Sequence, residues 1–469
     1  MRKTKAAIAA LLAASLSVVN FGCGSGEETV SVKEMDSMTR EQVATLCASD
    51  ERLTGELENK TITWLSDWNI QSDNTGKTTP IDLAMFQERY GGEVKWIQCT
   101  YEERYDKLAS CINGDEGVDF FYAGNFDAFP KGAIRGMFVP ADDYIDFDSE
   151  VWAEVKEAND SVMWNGQHYM TVVQVTGDNC AVVYNRDTIQ ELGFEDPAAL
   201  FEDGEWTWDA FHEMLEAYVD PENNKFGIAG WWFESGLSAT TGVPNIGLKD
   251  GKLVNNLTDP AIERVQNFMY DLNTSNAVAI GVGDFGWTDH PEYIGEGKLL
   301  FYPVGLWKLW DGNTDEATGL PAWKATFGEN CFFVPMPKDP SADEYYIPAN
   351  MDSYVFVSGG HNPEGVAKYL ECKRVSLMNE DAIRIGNEQF VSDYKWNDEM
   401  IEMKVKMDEM ALDNPVFDFM NGVSTDLATI MDSSENGVRA AGKGHPWNES
   451  LAAIKDAVDT MIEEANSAQ

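Results

Sequence analysis

Thr61-Ile62-Thr63-Trp64-Leu65, Glu93-Val94-Lys95-Trp96-Ile97-Gln98-Cys99 and Val118-Asp119-Phe120-Phe121-Tyr122 are three short runs rich in β-branched and aromatic residues, as strands are. The stretches between them carry helix punctuation. Pro80 opens a helical segment reaching Tyr90, with Met85 and Phe86 turned inward, and Gly91-Gly92 stops it. Tyr101 to Ile112 reads as a second helix, ended by Asn113-Gly114. Strands alternating with helices of this length predict βαβ units and a parallel sheet, because parallel neighbours need a crossover long enough to hold a helix. In open sheets of that kind ligands bind beyond the carboxyl ends of the strands. Ser66 to Asn69 fall there after the first strand, and Ala123 to Asp127 after the third.

The pattern continues with different content. Cys180 to Asn185 reads as a strand, Asp187 to Leu192 as a short helix, and Thr207 as the cap of a helix carrying Trp208, Phe211, Leu215 and Tyr218. Gly297 to Tyr302 is a further strand entering the turn Pro303-Val304-Gly305-Leu306-Trp307. Val355-Phe356-Val357 leads into a helix that Asn362 caps and Pro363 begins, with Val366, Tyr369 and Leu370 on one face. A final helix over about 449–465 is expected to bury Leu451, Ile454, Val458, Met461 and Ile462. No internal repeat or low-complexity linker separates these parts, which predicts two lobes interleaved along the chain.

The N-terminus carries an address. Arg2, Lys3 and Lys5 precede an apolar run from Ala6 to Val19, and Gly22 precedes Cys23, the order of a secretory signal. The segment resembles a bacterial lipoprotein signal, although Asn20 stands where such signals usually carry Leu. Residues 1–22 are then a signal peptide, Cys23 the lipidated mature N-terminus, and 23–56 an acidic spacer with a short helix from the capping box Thr39-Arg40-Glu41-Gln42. After Cys23 no window approaches the roughly 20 apolar residues of a spanning helix, so the expected location is the extracellular face of the membrane, held by lipid alone.

The 469 residues include 80 acidic and 34 basic ones, for a formal charge of −46. Nucleic acid and anionic lipid need clustered Lys and Arg, so neither is expected as a partner. The length predicts two or three cored domains, and the 43% apolar and 12% aromatic content excludes a disordered chain. Cys47, Cys99, Cys111, Cys180, Cys331 and Cys372 contain no C-x-x-C, and the histidines are scattered singly, so no metal or cofactor is expected. Gly281-Val282-Gly283-Asp284-Phe285-Gly286 satisfies G-x-G-x-x-G, but Asp284 would face the pyrophosphate and His290-Pro291 interrupts the helix it should open. Asp220 to Gly227 begins like a calcium loop, but its twelfth position is Trp231 where a bidentate Glu belongs.

Trp164-Asn165-Gly166-Gln167-His168-Tyr169, the Cys180 to Asp187 run with its Glu191-Leu192-Gly193 turn, and Thr207-Trp208-Asp209-Ala210-Phe211 together resemble the extracellular solute-binding proteins of sugar ABC transporters, the maltose-binding-protein-like family. Gly297-Lys298 through Trp307 resembles a second landmark, and Val355 to Leu370 a third; the order agrees from about residue 60 onward. The resemblance implies a two-lobed α/β fold of the periplasmic-binding-protein type II class, with a ligand cleft at the hinge. Lobe I would comprise 57–174 plus 331–390, and lobe II 175–330 plus 391–469. It implies no catalysis, a monomer, a carbohydrate ligand, and permease subunits of an ABC transporter as partners. A surface glycoside hydrolase and a sensory or structural module with the same fold are the alternatives.

A sugar cleft needs flat aromatic surfaces and a few fixed polar groups. Trp68 follows the first strand beside Asp67 and Asn69, and Asn125 and Asp127 occupy the matching place after the third. Asp178 falls in the crossover before the Cys180 strand, where the family places a polar contact. Trp231 and Trp232 are adjacent, and neighbours in extended chain point opposite ways, so at most one is expected to face the cleft. Trp307 ends the Gly305 turn and is the foremost candidate. Asp352, Tyr354 and Trp447 complete the expected rim.

Overall fold

A computed structural model describes residues 38–72, 78–124, 126–275, 290–310 and 313–468. The strands are β1 (Thr61–Ser66), β2 (Glu93–Gln98), β3 (Phe120–Tyr122), β4 (Phe138–Val139), β5 (Met170–Thr176), β6 (Ala181–Asn185), β7 (Phe226–Ile228), β8 (Ile246–Lys249), β9 (Lys252–Asn255), β10 (Leu299–Val304), β11 (Cys331–Pro335) and β12 (Asn350–Val357). The first sheet runs β2-β1-β3-β12-β4, with β5 also on β12. Its opening strands pair in parallel as expected, Trp64 opposite Trp96 and Trp64 opposite Phe120. The rest of the sheet corrects the all-parallel expectation, because β12 lies antiparallel to β3, β4 and β5. The chain reaches β12 from β11 in the other sheet, so no helical crossover from β3 fixes its direction.

The second sheet runs β11-β6-β10-β7, β6 being antiparallel to both neighbours and β10 parallel to β7. β8 and β9 form a separate hairpin. The result is a two-lobed α/β fold whose chain crosses between sheets at residues 177–180 and again at 336–349. Both sheets are apolar inside: Leu65, Phe121 and Val355 in the first, and Val183, Phe301 and Phe333 in the second, are almost wholly buried.

The helices follow their sequence signals. Thr39 makes the expected capping box with Gln42, and Asn362 caps Pro363–Met378 through the Gly365 N–H. From Thr39 onward the expected acidic spacer belongs to the body: Arg40–Ala48 buries Val43, Ala44, Cys47 and Ala48 and packs on Ile81–Tyr90. The last helix spans Trp447–Ser467 and buries Ile454, Val458 and Ile462, while Leu451 and Met461 are only half-buried. Asp119 joins the layers, accepting the Thr63 and Asn362 N–H groups at 2.6 Å each. Burial raises its carboxyl above the usual range although these N–H groups oppose the shift. Burial likewise lifts the Cys47 thiol to about 11. Among the described residues all six cysteines are free.

Candidate functional site

At the carboxyl end of β1, Trp68 stands 39% exposed where the chain leaves the sheet. It meets Trp64 edge-on at 5.4 Å and Tyr122, the last residue of β3, at 5.0 Å. Trp64 is buried in the sheet, as its strand position demands, and its indole N–H donates to the Trp68 carbonyl at 3.1 Å. Tyr354 lies beneath this surface, 4% exposed and 5.8 Å from Tyr122, so it supports the aromatic edge from within the core and does not sit on the rim. Asp352 pairs with Lys373 at 3.2 Å, and Lys373 also faces Asp82 at 3.6 Å. Burial works against that ammonium, but Asp352 and Asp82 together outweigh it and raise its pKa.

Asp127 is engaged differently from the expected open contact. One carboxylate oxygen accepts from the Arg104 guanidinium and the other from the Tyr105 hydroxyl. Arg104 in turn lies 3.6 Å from the ring centre of Tyr101. Asp127 therefore braces the loop after β3 and has no carboxylate oxygen left without a protein partner. Asn125 lies outside the described residues. Tyr101 itself is 48% exposed just past the carboxyl end of β2. The sequence reading placed it inside a helix, whereas that helix begins at Arg104. Its signal was an aromatic residue three positions beyond a strand.

On the second sheet Trp231, Trp232 and Trp307 are 36%, 44% and 43% exposed and form one group. Ring centres are 5.9 Å apart for Trp231 and Trp232, 5.8 Å for Trp231 and Trp307, and 6.4 Å for Trp232 and Trp307, with interplanar angles of 85°, 62° and 62°. Both members of the Trp231-Trp232 pair thus join the same face, correcting the expectation of one. The physical reason is backbone conformation: Trp232 has φ of 64°, so the chain there is left-handed and not extended. Close packing holds the group. Gly230, at φ of 149°, lets the Trp231 N–H reach the Pro303 carbonyl at 2.8 Å, where a Cβ would meet that same oxygen at 2.4 Å.

The crossover at 177–180 is tied to the last residue of β5 and to the turn after β10. The Asp178 carbonyl accepts the Leu306 N–H at 3.0 Å, fixing the turn that carries Trp307, and its carboxylate accepts from the Thr176 hydroxyl. Burial raises the Tyr122 phenol, and Asp352 and Asp178 add to the rise. Gly177 donates to Asp408 at 2.9 Å, and Asp408 pairs with Lys404 at 2.6 Å. Trp447 belongs elsewhere: at 2% exposure it starts the last helix and packs in the core, so it forms no part of an accessible rim.

Two sheets, an aromatic edge on each, and a polar crossover between them are the layout of a two-lobed α/β protein with candidate binding surface on both lobes. The chain belongs to the bacterial extracellular solute-binding protein family, whose model matches residues 83–368. It is similar to a maltotriose-binding protein of Pyrococcus abyssi (strain GE5 / Orsay), 27% identical over 156 residues; the match spans 32% of this chain and 31% of that relative. Among solved structures, an ABC substrate-binding protein from Listeria monocytogenes in complex with cycloalternan superposes with a TM-score of 0.60 at 16% identity, covering 87% of this chain and 99% of that one. An extracellular solute-binding protein from Staphylococcus aureus in complex with maltose gives 0.61 at 11% identity, covering 87% and 98%. At these identities the likeness establishes the two-lobed type II fold.

Proposed function

We propose that this chain is the carbohydrate-binding component of an ABC transporter, which captures an oligosaccharide between its lobes by hinge closure and passes it to permease subunits. The observation that carries the proposal is the exposed Trp231, Trp232 and Trp307 corner. Pyranose rings present apolar C–H faces that stack on indoles, and such clustered exposed indoles are otherwise an unfavourable apolar patch. Trp68 and Tyr122 supply aromatic surface on the first lobe, and Asp178 supplies a polar group at the crossover. The maltotriose-binding relative supports the same ligand class. Closure favours the ligand only if it touches both lobes, because a ligand shifts a conformational equilibrium only by its differential affinity for the two states.

The proposed lobes are 57–174 plus 331–390 and 175–330 plus 391–469, with adjustments at three boundaries: Cys331–Pro335 pairs with β6 and goes with the second lobe, Val175 and Thr176 pair with β12 and go with the first, and Arg40–Ala48 packs on the first-lobe helix Ile81–Tyr90. A hydrolase reading gains little from the carboxylates near the aromatic edges. Asp127, Asp352 and Asp408 pair with Arg104, Lys373 and Lys404 respectively, an arrangement that serves positioning better than acid and base work. Incubation with maltotriose and a panel of neutral oligosaccharides tests the proposal. At least one glycan should raise the melting temperature and be recovered intact; shortened products would sink the receptor reading.

Attachment through a lipid on Cys23 is part of the same proposal. A receptor feeding a permease must stay near the membrane while its lobes move. Cys23→Ser expressed in a bacterial host should move the protein from the membrane fraction to the soluble one. Unchanged partition would rule out the Cys23 anchor.

A further inference from the structure

Lys308 follows Trp307 on the short helical turn Leu306–Leu309. Its Nζ lies 5.1 Å from the Trp307 ring centre and 5.2 Å from that of Trp231. The first contact is between chain neighbours. The second joins separate loops and requires the side chain to lean back over the aromatic corner. An ammonium within about 6 Å of an indole face is attracted by the ring's quadrupole, and the contact is worth a few-fold in an equilibrium at a half-exposed site. The C–H face of a sugar seeks the same electron-rich indole surface, so the two compete for it.

We infer that Lys308 is an internal occupant of the tryptophan corner: its ammonium covers Trp231 and Trp307 in the unliganded protein and withdraws when a neutral sugar stacks there. The inference rests on the corner being the sugar site of the proposed function. Lys308 then lowers the affinity of the site while shielding two of the three exposed indoles from unwanted apolar partners. It also sets selectivity, since a ligand bringing its own ammonium meets a like charge at the place it must enter.

The test compares the full chain with K308A and K308R. Acrylamide quenching of tryptophan emission in the absence of sugar should rise in K308A and return toward the wild-type value in K308R, which restores a cation over the rings. The Kd for maltotriose should fall about threefold to tenfold in K308A, the equivalent of the lost cation–π contacts, and K308R should reverse that gain. Unchanged quenching would overturn the inference. So would weaker maltotriose binding by K308A, which would make Lys308 a hydrogen-bond donor to the sugar. If no variant binds maltotriose, the choice of ligand fails, and the quenching result alone still decides for or against the internal occupant.

Discussion

Trp307→Ala is expected to remove most of the thermal stabilisation that the ligand gives to the native protein, while the unliganded variant still melts cooperatively. Trp307 meets both other tryptophans of the corner at 5.8 and 6.4 Å and is 43% exposed, so its loss removes binding surface and little core. Central aromatic anchors of this kind are worth about 2 kcal/mol or more, roughly a thirtyfold loss in affinity. A ligand at one hundred times Kd stabilises by about 2.7 kcal/mol, and after a thirtyfold loss the same concentration gives only about 0.9 kcal/mol. Differential scanning fluorimetry with the stabilising glycan checks this. An undiminished shift would remove Trp307 from the site.

The largest expected effect on stability falls on a residue far from the aromatics. Arg374→Ala should destabilise the fold by about 2–5 kcal/mol, the cost of unsatisfied buried carbonyls plus a cavity. Its side chain is 1% exposed and donates to the Val151 carbonyl at 3.2 Å, the Val173 carbonyl at 2.6 Å and Glu154 at 2.8 Å. Truncation strips two buried carbonyls of their donor at once and leaves a cavity in place of the guanidinium. Urea unfolding should show a lowered midpoint with an unchanged slope. A shift below about 1 kcal/mol would mean that water replaces the guanidinium without difficulty.

Local signals carried much of the fold. Pro80, the Thr39 capping box, Thr207 and Asn362 mark helix starts within a residue or two of where they occur, because caps act through neighbouring backbone groups. Strand direction was less legible: β12 reads as any buried strand, and only its approach from the other sheet makes it antiparallel. The site divides in the same way. Trp68 and Trp307 follow strand ends and were readable from position. Asp127 was misread because the arginine that occupies it lies on the helix after β2, and Trp447 because a residue near a helix start gives no hint of whether it faces the core. Trp232 was misjudged through a left-handed backbone that no glycine or asparagine announces. Lys308 carried no sequence signal, since a lysine beside a tryptophan is unremarkable until the fold brings Trp231 over it.

The proposed function requires that one ligand draw the two lobes together. Small-angle X-ray scattering of the full chain, with and without whichever oligosaccharide stabilises it, tests that claim most directly. A smaller radius of gyration is expected at saturating ligand, and Trp307→Ala should need about thirtyfold more ligand for the same decrease. Saturation of the wild-type protein with no change in its radius of gyration would contradict closure and leave the sugar on one lobe alone.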